Sequence, residues 1–152
     1  TRGIKEKEPL RVVFTKSLNL PEKCNLWDNN AARTIVVYDG SFADENLLNR
    51  IPSSVEIEKL SISNPATLSK LLAEKGCNSV LWECGPGLAT MALKDGCIQE
   101  LITFIAPKIL GGTGSMNPLS DLNLSKMKEA IKLSKQDMKV FNNDIYLRTM
   151  II

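Results

Sequence analysis

The sequence predicts an α/β protein whose mostly parallel sheet is flanked by helices and closes with an antiparallel hairpin. Short β-branched runs alternate with amphipathic stretches over residues 11–106, and Gly, Pro, Asn and Asp punctuate the joins. The tail then changes to two loosely alternating runs around Asn142-Asn143-Asp144, a hairpin signal.

Arg11-Val12-Val13-Phe14-Thr15 and Thr34-Ile35-Val36-Val37-Tyr38 are continuous apolar runs of the kind found in strands buried on both faces. Between them, Leu20-Pro21-Glu22-Lys23 and Asp28-Asn29-Asn30 read as loop. Over residues 43–51, Leu47, Leu48 and Ile51 recur at helical spacing, and Pro52 ends that helix. Residues 55–62 form a third strand candidate. Asn64 can cap the next helix, Pro65 suits its first turn, Leu68, Leu71 and Leu72 make its apolar face, and Gly76 stops it. Ser79-Val80-Leu81-Trp82-Glu83 reads as a strand, residues 85–94 as a helix closed by Gly96, and residues 101–106 as a strand ended by Pro107. Gly111-Gly112-Thr113-Gly114 opens a long polar loop, and residues 130–141 and 145–152 are the hairpin arms. Strand and helix alternate as in right-handed βαβ units. No repeat or Pro/Ser-rich linker divides the chain, so 152 residues are expected to form a single domain.

Composition narrows the chemistry. With no histidine, Ser-His-Asp hydrolysis, Cys-His proteolysis and His-ligated zinc chemistry are excluded for this chain. A net charge of +2 gives no footprint for nucleic acid. No apolar run reaches the roughly 20 residues of a membrane span. Cys24, Cys77, Cys84 and Cys97 form no CxxC pair; packed, reduced thiols in the cytoplasm are expected, with no metal site. The chain starts at Thr1 rather than methionine, which reads as a processed or excised piece of something longer.

The stretch Trp82-Glu83-Cys84-Gly85-Pro86-Gly87-Leu88-Ala89 carries the functional argument. Its glycines lie between a strand's carboxyl end and a helix's amino end, where α/β sheets bind ligands. Glycine lets the backbone approach an anion, the first helical turn offers free N–H groups, and the helix end adds roughly half a positive charge. A phosphate or pyrophosphate suits such a turn. Glycine needed only for a tight connection is the competing reading, and Pro86 departs from both the Walker and Rossmann glycine patterns. Glu83, a carboxylate at the end of an apolar strand, needs partners or a cleft, or else is simply solvated. Trp27 and Trp82 are expected to pack. Lys16, just past the first strand, could meet a phosphate or be merely solvated.

These residues also carry a family resemblance. Residues 82–89, followed by Gln99-Glu100-Leu101 and by Ile105-Ala106-Pro107-Lys108-Ile109-Leu110-Gly111-Gly112, resemble the reductase domain of the bifunctional riboflavin-biosynthesis deaminase/reductase, whose pattern is E-G-G-P-x-L-A, D-E-L, then A-P-x-x-L-G-G. Pro9-Leu10-Arg11-Val12-Val13 resembles its P-x-R-V-V strand, and Thr1-Arg2 the end of its L-T-x-R segment. Cys84 and Gly87 differ from the commonest family residues.

The resemblance implies a dihydrofolate-reductase-like fold, usually dimeric. It implies transfer of a hydride from NADPH to C1 of the ribosyl group of 5-amino-6-(5-phosphoribosylamino)uracil. Substrate contacts fall on Arg2 and Glu83. Cofactor contacts fall on Lys16 and on Gly85, Pro86, Gly87, Leu88, Ala89, Thr90 and Met91. No proton donor is assigned. The family's zinc deaminase motifs, H-x-E and P-C-x-x-C, are absent here, so no deamination is expected from this chain; the resemblance implies that the reductase's own first strands and helix precede Thr1 and leaves open whether a zinc deaminase domain stands upstream of them. Two alternatives stay open: a related enzyme acting on another heterocycle, and a non-catalytic binding or dimerisation fragment.

Overall fold

Strand β2 (Thr34–Asp39) is buried along its whole length in a computed structural model that describes residues 8–28, 30, 32–109, 111 and 117–152. Its run of β-branched residues suits the middle of a parallel sheet. The neighbours are β1 (Arg11–Thr15) and β3 (Glu56–Leu60), both parallel to it, with Val36 opposite Val13 on one side and Ile57 on the other. All three predicted strands therefore form, the third shorter than expected. The predicted helix over residues 43–51 is a 3-10 helix at Glu45–Arg50, opened by Asp44, whose carboxylate accepts the Asn46 amide at 3.0 Å. Leu18, Val36, Tyr38, Ile51 and Val55 make the core beneath it, and Trp27 packs against that core as expected. Arg11 reaches from β1 into the following loop, where its guanidinium donates to the carbonyls of Asn25 at 3.0 Å, Asp28 at 2.6 Å, and Ala32.

The chain groups into two compact units, residues 1–68 and 69–152. Helix α1 (Pro65–Glu74) runs across their boundary, and its ends follow the sequence signals. Asn64 Oδ1 accepts the Thr67 amide at 2.8 Å, and Gly76, at φ 85°, turns the chain out of the helix while the Cys77 amide closes onto the Leu72 carbonyl at 2.9 Å.

Residues 79–83 depart from expectation: they carry no regular structure. An apolar run marks a potential strand, but a strand exists only where a neighbour takes its N–H and C=O groups, and among the described residues none pairs with this segment. Helix α2 (Pro86–Lys94) follows where predicted, and Gly96 at φ 68° ends it.

The second sheet has the order β4-β6-β5, all antiparallel, from β4 (Glu100–Ile105), β5 (Leu133–Phe141) and β6 (Asp144–Ile151). The β5–β6 hairpin turns at Asn142, which takes φ 55°, a conformation asparagine tolerates. β4 joins this sheet against β6 rather than extending the parallel set, so the parallel and antiparallel parts are separate three-stranded sheets. On one face Tyr146 meets Phe104 and Phe141 edge-on, at 5.4 and 6.3 Å between ring centres.

Candidate functional site

The chain enters α2 through Gly85, extended at φ −71° and ψ 168°, with Pro86 in the first turn. The first bond of the helix runs from the Ala89 amide to the Gly85 carbonyl at 3.1 Å. The amides of Gly87 and Leu88 precede that ladder, Pro86 has none to offer, and among the described residues nothing accepts from either of the two. Among the described residues, neither glycine is forced by packing or by backbone conformation: a Cβ on Gly85 or Gly87 would meet none of them within 4 Å, and neither takes a positive φ. Among the described residues, then, nothing requires glycine at either position. The corner therefore offers two donors and the positive end of a helix dipole, an arrangement that suits an anionic group.

The helix presents two sides. Met91 is exposed, Leu88 and Ala89 are half-buried, and Thr90 and Ala92 are buried. The Thr90 hydroxyl accepts the Ser120 amide at 2.8 Å, so its oxygen is engaged within the protein. Sequence reasoning missed Ser120, because a loop residue distant along the chain carries no local signal of its partner. Glu83 is exposed two residues before the N-cap. Burial pushes the Cys84 thiol up, away from thiolate, in keeping with the packed-thiol expectation. Trp82 is half-buried and lines a groove of about 310 Å³ with Val80, Ile98 and Glu100 among others.

Lys16 lies in the first unit and the α2 turn in the second. The Lys16 ammonium stands 3.9 Å from the centre of the Phe42 ring, a partner with no signal of its own along the chain. Arg2, and Gly112 to Gly114 of the glycine-rich loop, lie outside the described residues; Gly111 takes φ 61°. Among the described residues no cluster of His, Cys, Asp and Glu could hold a metal ion, and no helix is long and apolar enough to cross a membrane.

Known proteins align with most of the chain. Residues 1–147 match the RibD C-terminal domain family. The chain is 37% identical over 134 residues to riboflavin biosynthesis protein RibD of Synechocystis, covering 87% of this chain and 36% of the relative. It is 34% identical over 146 residues to the chloroplastic riboflavin biosynthesis protein PYRR of Zea mays, covering 96% and 23%. Among solved structures, Acinetobacter baumannii RibD superposes with a TM-score of 0.72 at 22% identity, over 93% of this chain and 37% of that one. A Thermotoga maritima diaminohydroxyphosphoribosylaminopyrimidine deaminase/5-amino-6-(5-phosphoribosylamino)uracil reductase superposes with a TM-score of 0.78 at 20% identity, over 99% and 40%. The chain thus spans little more than a third, or less, of the curated relatives just described. Matched along nearly its full length, the chain belongs to the RibD C-terminal domain family and has its dihydrofolate-reductase-like fold.

Proposed function

We propose that the chain is an oxidoreductase of riboflavin biosynthesis that reduces 5-amino-6-(5-phosphoribosylamino)uracil with NADPH. The observation that carries this reading is the corner at α2, where, among the described residues, the Gly87 and Leu88 amides have no acceptor and neither glycine has a neighbour at its Cβ position. NADPH held at that corner would supply a hydride to C1 of the ribosyl group, with the accompanying proton coming from solvent water. The chain's residues bind and orient. Gly85, Pro86 and Gly87 shape the corner, the Gly87 and Leu88 amides grip the pyrophosphate, and Leu88, Ala89 and Met91 flank it. Thr90, buried and tied to Ser120, holds the helix in place beneath. Lys16 adds a cation for a phosphate. Glu83 anchors the substrate by accepting from its hydroxyl or N–H groups, with Arg2 as the second anchor. The family resemblance supports a homodimer. Four free cysteines accord with a reducing compartment such as the cytoplasm.

Glu83→Gln tests the substrate half. Loss of the charged acceptor should lower kcat/KM roughly tenfold or more with NADPH affinity unchanged. Unaltered kcat/KM would remove Glu83 from the site. The irregular segment before Glu83 favours a second reading, a non-catalytic binding or dimerisation fragment. Under that reading NADPH does not bind at all.

A further inference from the structure

Ser120 lies thirty positions after Thr90, yet three hydrogen bonds tie it to α2, and all three run through its backbone. Its amide donates to the Thr90 hydroxyl at 2.8 Å and, as the longer arm of the same donor, to the Pro86 carbonyl at 3.4 Å. Its carbonyl accepts from the Thr90 hydroxyl at 3.4 Å in return. Thr90 is buried and Pro86 opens the helix, so the loop that carries Ser120 holds α2 on its inner side and at its first turn together.

The contact with Pro86 reaches further than the carbonyl itself. A peptide bond is planar and trans, so the Pro86 C=O and the Gly87 N–H are the two ends of one rigid group. A donor that holds the oxygen also sets the direction of the hydrogen. That hydrogen is one of the two at the start of α2 that no described residue accepts. Pro86 has no N–H of its own, so Gly87 carries the first amide of the helix, and its aim decides how an anion is met there. Donation to the carbonyl polarises the same peptide group and makes its N–H the stronger donor.

We propose that Ser120 is a positioning residue for the anion-binding corner, its amide aiming the Gly87 N–H through the Pro86 carbonyl. The ligand chemistry it serves is a diphosphate linkage, whose oxygens meet the Gly87 and Leu88 amides. The proposal rests on the reading of that corner given above and adds to it a residue that neither sequence motif nor comparison assigns.

Inorganic pyrophosphate and NADPH are the probes, each titrated while the Gly87 amide resonance is followed in proton–nitrogen correlation spectra. Ser120→Pro deletes the N–H and Ser120→Ala keeps it. In the unaltered protein both probes should move the Gly87 resonance. Ser120→Pro should shift that resonance before any ligand is added and weaken both probes about tenfold, and Ser120→Ala should restore the resonance and both affinities. A merely structural contact predicts a lower urea midpoint with full affinity in the folded protein. Should Ser120→Pro fail to fold, lactic acid incorporated at position 120 exchanges the N–H for an ester oxygen and is compared with Ser120→Ala. Equal affinities with and without the N–H overturn the positioning role and leave the reductase reading standing. Pyrophosphate that binds as described to a protein indifferent to NADPH keeps the role and sinks the reductase reading. A Gly87 resonance that neither probe moves in the unaltered protein ends both.

Discussion

Thr90 and Ser120, thirty positions apart, are joined by a 2.8 Å hydrogen bond from the Ser120 amide to the Thr90 hydroxyl. The bond fixes the buried side of α2 to a distant loop, while the amides of Gly87 and Leu88 at the start of the same helix remain without acceptors among the described residues. One side of the helix supports the fold, and its amino end keeps two donors that no described residue takes.

Thr90→Val tests the supporting side. The substitution keeps the shape of the side chain and removes the acceptor, so the Ser120 amide loses its best partner. A loss of about 1–2 kcal/mol in unfolding free energy is expected, read as a lower urea midpoint with an unchanged slope. An unchanged midpoint would show that the bond contributes nothing.

Glycines at two helix ends should behave in opposite ways. Gly76 takes φ 85°, where a Cβ is strained, and Gly76→Ala should cost about 1 kcal/mol without touching cofactor affinity. Gly85 takes φ −71° with open space around its Cβ position, so Gly85→Ala should leave the melting temperature unchanged. Paired thermal melts decide this, and a large loss of stability in Gly85→Ala would return that glycine to a packing role.

The Tyr38–Glu45–Lys59 cluster predicts a pH effect. Lys59 Nζ donates to Glu45 Oε1 at 2.7 Å and the Tyr38 hydroxyl donates to the same oxygen at 3.0 Å. Lys59 first, then Tyr38, holds Glu45 below its ordinary value of 4.5. A carboxylate depressed in the folded state adds stability above its unfolded value and loses it as pH falls through the folded one. Lys59, raised above its ordinary 10.5 by the same partner, keeps its contribution below that value and loses it at more alkaline pH. Glu45→Gln should therefore melt slightly lower than the unaltered protein at about pH 7 and level with it at about pH 3, the difference being small for an exposed pair. A gap that widens in acid contradicts the assignment.

The proposed homodimer has a surface to use. Val140, Ile145 and Ile105 lie opposite one another across β5, β6 and β4, and all three are exposed. A row of this kind is what an interface buries. Val140→Lys should convert a dimer to a monomer in sedimentation velocity, and a dimer that persists would place the contact elsewhere.

The parts of this fold written in local chemistry were readable from the sequence. Asn64, Pro65 and Gly76 announce α1 because capping and left-handed turns are decided by the residues themselves. Asn142 announces the hairpin for the same reason. Residues 79–83 were misread because apolar character is local whereas strand pairing is supplied from elsewhere in the fold. The pairing of β4 with β6 was missed on the same ground, since register with a strand some forty positions later leaves no local trace. In the site, Gly85 and Gly87 were visible as glycines after an apolar run, but that no described residue packs at their Cβ positions is decided by the fold. Phe42 gave no signal, as a single aromatic in a loop has no periodicity and its meaning comes from Lys16 across the sheet edge.

Titration of NADPH against the protein and against Gly87→Val, followed by fluorescence, is the most direct test of the site at α2. A branched side chain at that corner blocks the approach of the pyrophosphate to the Gly87 and Leu88 amides, and the account predicts binding to the unaltered protein that is weakened roughly a hundredfold or more in the variant, with thermal stability little changed. Equal NADPH affinity in the two proteins would contradict it.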